Sequence, residues 1–129
     1  MGSEERGSTG QKGEELAANY LVRHGCKVLA RNWRANPGEI DLIVECPGPE
    51  PVLVFVEVRT RHGRTGLAEE SISKRKASSM VSAAYAYMDA HSLDPERDAW
   101  RIDLVAISLS GSRITAINWV QGALDEGMI

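Results

Sequence analysis

The chain has 129 residues, enough for one domain with a genuine core and too few to expect a second. Its 43% hydrophobic and 26% charged residues are those of an ordinary globular protein, and no apolar run approaches the length that spans a bilayer. The formal net charge of −3 argues against nucleic-acid binding by the molecule as a whole, but over residues 59–76 Arg59, Arg61, Arg64, Lys74, Arg75 and Lys76 meet only Glu69 and Glu70, a local +4 that leaves −7 elsewhere.

The opening MGSEERGSTG is small and polar, with no apolar signal-peptide centre, so export is not expected and residues 1–9 are expected to be flexible. Thr9–Gly25 reads as a helix: Leu16, Ala17, Tyr20, Leu21 and His24 recur at helical spacing, and Gly25 can supply a left-handed C-terminal residue. Cys26 and Cys46 lack metal-type spacing, and two free thiols in a reduced, cytoplasmic setting are the expectation. KVLARNW (27–33) is a strand, Asn36-Pro37-Gly38 a turn, and EIDLIVEC (39–46) and VLVFVEVRT (52–60) are strands rich in β-branched residues. Pro47-Gly48-Pro49-Glu50-Pro51 joins the last two, so they should pair antiparallel. RHGRTG (61–66) is a basic loop, and Ser71–His91 a helix whose Ala77, Met80, Val81, Ala84 and Met88 pack on a sheet, with Ser71–Ser73 at its cap. Arg101–Leu109 and Arg113–Val120 are the last strands, and residues 121–129 a tail. The order α-β-β-β-α-β-β describes an α/β domain over residues 10–120, a mixed sheet with helices packed on it.

The second and third strands carry charge where plain core strands would carry none. Centring their connection on Pro49 makes facing residue numbers sum to 98, so Ile43 faces Phe55, Asp41 faces Glu57 and Glu39 faces Arg59. Facing like charges destabilise a sheet unless a cation lies between them. Carboxylate oxygens bind Mg²⁺ at about 2.0–2.1 Å, with water and phosphate completing the shell. Alternation puts Ile40, Leu42 and Val44 on one face, and Glu39, Asp41, Ile43 and Glu45 on the other. On the third strand the even positions 52–58 are all valine, whereas the odd face turns polar at Glu57. The first helix adds Glu14, in line with Ala17 and Leu21. Glu39 with Arg59 as an ordinary cross-strand pair, and Glu14 as a first-turn acid favoured by the helix dipole, are the structural alternatives.

Glu14, then Gly38-Glu39-Ile40-Asp41, then Glu57-Val58-Arg59, resembles the PD-(D/E)xK endonuclease superfamily, whose pattern is a helix acid, an acid on the second strand and E-x-K on the third. The blocks Ala30-Arg31-Asn32-Trp33-Arg34, GEIDLI (38–43) and FVEVR (55–59) resemble more closely the YraN-like bacterial family, which is similar in fold to archaeal-type Holliday-junction resolvases. The resemblance implies a restriction-endonuclease-like fold and a nuclease that hydrolyses DNA, branched DNA included. It implies Mg²⁺ or Mn²⁺ held by Glu14, Asp41, Glu57 and the Val58 carbonyl, and phosphate contacts from Arg61, Arg64, Lys74 and Lys76. It also implies a homodimer. Arg59 stands where the superfamily has lysine, and a guanidinium cannot act as the general base. Lys76 shares a helical face with Met80 and Ala83 and could reach the sheet in compensation. Two rival readings stay open: a nucleic-acid-binding module of the same fold that has lost hydrolysis, and a plain interaction domain with solvated acids.

His24, His62 and His91 show no zinc spacing, Trp33, Trp100 and Trp119 read as packing residues, and Asp103 either joins the family pattern or is a structural acid near the sheet end.

Overall fold

The computed structural model describes residues 2–36, 38–63 and 72–124, with side chains from residue 12 onward. Its elements follow the order α1 (Gly2–Arg23), β1 (Lys27–Ala35), β2 (Gly38–Cys46), β3 (Val52–His62), α2 (Lys74–Ala90), β4 (Trp100–Ser110) and β5 (Arg113–Val120). The five strands form one mixed sheet in chain order, with β3 and β4 parallel and every other neighbour antiparallel. The parallel pair needs a crossover, and α2 lies within it. No helix among the described residues is long and apolar enough to cross a membrane.

Helix α1 begins at Gly2, earlier than the apolar spacing alone indicates. It ends as expected: Gly25 has φ +93°, its N–H bonds to the Val22 carbonyl and that of Cys26 to Leu21, the paired bonds of a Schellman cap. Helix α2 starts at Ser73, whose hydroxyl accepts from the Lys76 N–H at 3.2 Å.

A helix covers each face of the sheet. Ala17, Ala18 and Leu21 of α1 pack with Leu42, Val44, Val54, Val56, Val105 and Ile107. Ala77, Met80, Ala84 and Met88 of α2 pack with Ile40, Ile43, Phe55 and Leu104. The central strands are therefore apolar on both sides. The small side chains permit close approach. A Cβ on Gly13 would overlap the Thr60 hydroxyl, and one on Gly38 would overlap the Ser79 carbonyl of α2. The tryptophans pack: Trp33 and Trp100 border the α2-side cluster and Trp119 the α1-side cluster.

Two expectations are corrected. Cys26 and Cys46 are not free thiols but a disulfide, with Cα atoms 4.2 Å apart. The reason lies in register: β1 pairs with β2 through Lys27 and Glu45, so the next step outward sets Cys26 opposite Cys46. Ile40 does not share a face with Leu42 and Val44; it joins Ile43 in the α2-side cluster. Strict alternation cannot put residues three apart on one face, so β2 turns over between Ile40 and Leu42, at Asp41. Strand β1 does the same, since Ala30 and Trp33 both border the α2-side cluster.

Candidate functional site

The β2–β3 pairing follows the anticipated register, from Cys46 with Val52 to Leu42 with Val56. There the ladder ends. The next step would pair Asp41 with Glu57, but the Asp41 side chain takes over: Oδ2 accepts the Val58 N–H at 2.8 Å. Glu39 accordingly does not pair across to Arg59 as anticipated; it meets Arg34 at 3.5 Å, and Arg59 turns to Glu57 at 3.8 Å. The strands fork at the two acids, and Asp41 fastens the fork by substituting a carboxylate for a backbone acceptor.

Glu57 is 6% exposed. Burial first, and then the hydrogen bond and charge of Asp41, push its pKa from 4.5 up to about 8, against the pull of Lys76 and Arg59. At neutral pH the Glu57 carboxyl therefore keeps its proton and gives it to the hydrogen bond with Asp41. Lys76 arrives from the first turn of α2, with Nζ 3.5 Å from Glu57 Oε2. The anticipated reach of Lys76 toward the sheet is present, and the helical face that carries it buries Met80 and Ala83.

Glu14 stands to one side, half-buried on α1. Burial raises its pKa, and the charge of Asp41 raises it further; a hydrogen bond from the Asn32 side chain opposes both. Its neighbour Glu15 turns outward to Arg31 at 3.7 Å. Of the anticipated phosphate contacts, Arg61 lies exposed near the end of β3 and Lys74 exposed at the start of α2. Arg64 lies outside the described residues. The acids Glu45, Asp94 and Asp98 lie by the other end of β3, near Leu53, where Lys27 pairs with Glu45 and Arg97 with Asp94.

Among the described residues no three His, Cys, Asp or Glu side chains stand together as a ready metal-ligand set. The structure joins Asp41 to Glu57 and leaves Glu14 as their neighbour rather than their equal. Such a pair suits an ion that binds through one or two carboxylates and keeps water and phosphate oxygens for the rest, the habit of Mg²⁺. The shared proton marks where a cation would relieve the buried Glu57 carboxyl and the half-buried Asp41 beside it.

Asp103 belongs elsewhere. Fully buried, it receives three hydrogen bonds from the Arg101 guanidinium at 2.9–3.2 Å, one from Trp119 Nε1 at 2.8 Å and one from the Gly122 N–H at 2.9 Å. It ties β5 and the chain after it to β4, a structural acid.

Residues 13–107 match the model of a family described as uncharacterised protein family UPF0102. A UPF0102 protein of Chloroflexus aurantiacus is 44% identical over 117 residues, covering 91% of this chain and 92% of that one. One from Roseiflexus castenholzii is 50% identical over 101 residues, 78% of each chain. One from Vibrio vulnificus is 34% identical over 128 residues, 98% of this chain and all of its own.

Proposed function

The chain belongs to uncharacterised protein family UPF0102, the YraN-like family its sequence resembles, and from that premise we propose that it is a divalent-metal-dependent nuclease of the PD-(D/E)xK kind, hydrolysing phosphodiester bonds of DNA, branched DNA included. The observation that carries this reading is the ammonium of Lys76 3.5 Å from Glu57, at the fork where β2 parts from β3. It supplies from α2 the lysine that Arg59 denies to β3. The α-β-β-β-α-β-β order and the mixed sheet support a restriction-endonuclease-like fold.

Asp41 and Glu57 would hold the ion, with the Val58 carbonyl beside them and Glu14 next to the pair. When bound, Mg²⁺ or Mn²⁺ supplies positive charge at the scissile phosphate and acidifies the attacking water. The Lys76 ammonium can donate a hydrogen bond to that water or to a phosphate oxygen, and Arg59 is a permanent cation that can clamp a phosphate oxygen. Arg61, Arg64 and Lys74 extend the cationic surface along which a phosphate backbone would lie.

The rival is a binding module of the same fold without hydrolysis, and the arginine at position 59 favours it. A panel of duplex, single-stranded and four-way-junction DNA, incubated with Mg²⁺ or Mn²⁺, separates the two. The nuclease reading expects cleavage that Asp41→Asn and Lys76→Ala each abolish. Binding without cleavage, unaltered by Lys76→Ala, supports the module.

A further inference from the structure

A cavity of about 320 Å³ opens where β3 begins, between the last turn of α2, the chain that leaves it, the start of β1 and the end of β2. Leu53 borders it, and Glu57 stands four residues further along β3, so the cavity lies about 13 Å from the acid fork. Its volume falls at the small end of ligand sites, which join apolar walls to a few polar groups.

The walls follow from local structure. Leu53 and Leu93 line the cavity, and a bulge adds Leu29. Strand β1 pairs Val28 with Val44 and Ala30 with Ile43, so Leu29 is the extra residue. Bulges re-aim side chains, and Leu29 is left 39% exposed beside the cavity. An aromatic wall completes the enclosure. The rings of Tyr87 and His91 stack at 4.0 Å, while Trp33 and Phe55 hold Tyr87 edge-on.

The polar groups are unspent. Tyr87 is 6% exposed, and its hydroxyl has no hydrogen-bonding partner among the described residues. No polar side-chain atom of those residues is both sealed and unpartnered, so this hydroxyl touches open space, and Tyr87 lines the cavity. Burial raises its pKa, which keeps the phenol protonated, a donor as well as an acceptor. His91 donates its Nδ1–H to the Tyr87 carbonyl at 2.8 Å, which leaves Nε2 of the neutral ring as an acceptor. Asp98 accepts the Asp94 N–H through Oδ2, and its Oδ1 has no partner among the described residues. Glu45 makes neither a hydrogen bond nor an ion pair among them; Lys27 faces it across the ladder but does not line the cavity. Two carboxylates repel an anion, and no three ligating side chains stand together among the described residues to hold a metal ion.

We propose that this cavity binds a small organic amine, its apolar body against Leu29, Leu53 and Leu93 and its ammonium toward Glu45, Asp98 and the Tyr87 hydroxyl. The inference is independent of the nuclease reading, since it uses no metal and no residue of the fork.

The test titrates the metal-free protein with phenethylamine and with isoamylamine, an aromatic and a branched aliphatic body, and follows the leucine methyl resonances by ¹³C NMR. One or both amines should shift Leu29, Leu53 and Leu93 and leave Leu16 and Leu21 of α1 unmoved. Phenethylamine should bind at least about fivefold more tightly than 2-phenylethanol, and 3-phenylpropionate more weakly than either. Glu45→Gln/Asp98→Asn alters two exposed side chains, and should weaken amine binding about fivefold while changing that of 2-phenylethanol by less than about twofold. Tyr87→Phe keeps the ring and should weaken amine binding about fivefold. No binding of either amine, shifts confined to other leucines, an alcohol that binds as tightly as its amine, or amine affinity unchanged in the double variant or in Tyr87→Phe each overturn the inference.

Discussion

Replacing Glu57 with glutamine tests the electrostatics of the fork without involving DNA. The folded protein holds the Glu57 proton to about pH 8, whereas the unfolded chain releases it near 4.5. Between those values the unfolded state binds fewer protons, so stability falls as pH rises. The full contribution is present below pH 4.5 and is lost once pH passes about 8. At about 1.36 kcal/mol per pH unit the window corresponds to about 5 kcal/mol, and relaxation with water entry reduces that to about 2–5 kcal/mol. Glutamine mimics the protonated acid, keeps a donor for Asp41 and does not titrate. Urea denaturation from pH 5 to 8.5 should therefore give nearly equal stabilities at the acid end and a variant more stable by about 2–5 kcal/mol at the alkaline end. Glu14 also has a raised pKa and adds slope of the same sign, but equally to both proteins, so their difference isolates Glu57. Mg²⁺ should stabilise the wild type more at pH 8 than at pH 6, because it competes with the proton, and should stabilise Glu57→Gln little at either. A wild-type-minus-variant difference that stays constant with pH would refute the reasoning.

The disulfide closes a separation of 20 residues, which by loop entropy stabilises the fold by about 3 kcal/mol. Dithiothreitol should lower urea stability by that amount in the wild type and leave the Cys26→Ser/Cys46→Ser double variant unchanged. Gly13→Ala sets a methyl against the Thr60 hydroxyl and should cost about 1–3 kcal/mol in thermal unfolding, most of it recovered by adding Thr60→Ala. Asp103→Ala strands the half-buried Arg101 guanidinium and the Trp119 and Gly122 N–H groups, and should destabilise by about 3–5 kcal/mol.

Much of the fold was legible because its signals are local. Valines alternate through β3, the small residues of α2 recur at helical spacing, and Pro47–Pro51 fixes the β2–β3 register that sets Asp41 beside Glu57. What escaped depends on the register of β1 with β2, which a bulge between Val28 and Ala30 shifts by one residue. Without it Cys26 and Cys46 look like unrelated thiols, though they face each other one step beyond Lys27 and Glu45. Alternation assigned Ile40 to the wrong face because it assumes uninterrupted pleating, and the pleat turns over at Asp41. The Glu39–Arg59 pair failed for a related reason: it extended the ladder past the point where the strands part. Charges that terminate a ladder and charges that decorate one look alike in a string of letters. Lys76 was legible because helical spacing fixed its face, and that face lies against the sheet.

Asp41 and Glu57 are proposed to share a proton only until a divalent cation displaces it. A crystal grown at pH 8 and soaked in Mn²⁺ tests this most directly through anomalous scattering. The claim predicts one anomalous peak bridging the two carboxyl groups, lost in Asp41→Asn crystals treated identically. No peak at the fork, with Glu57 still hydrogen-bonded to Asp41 at saturating Mn²⁺, would contradict it.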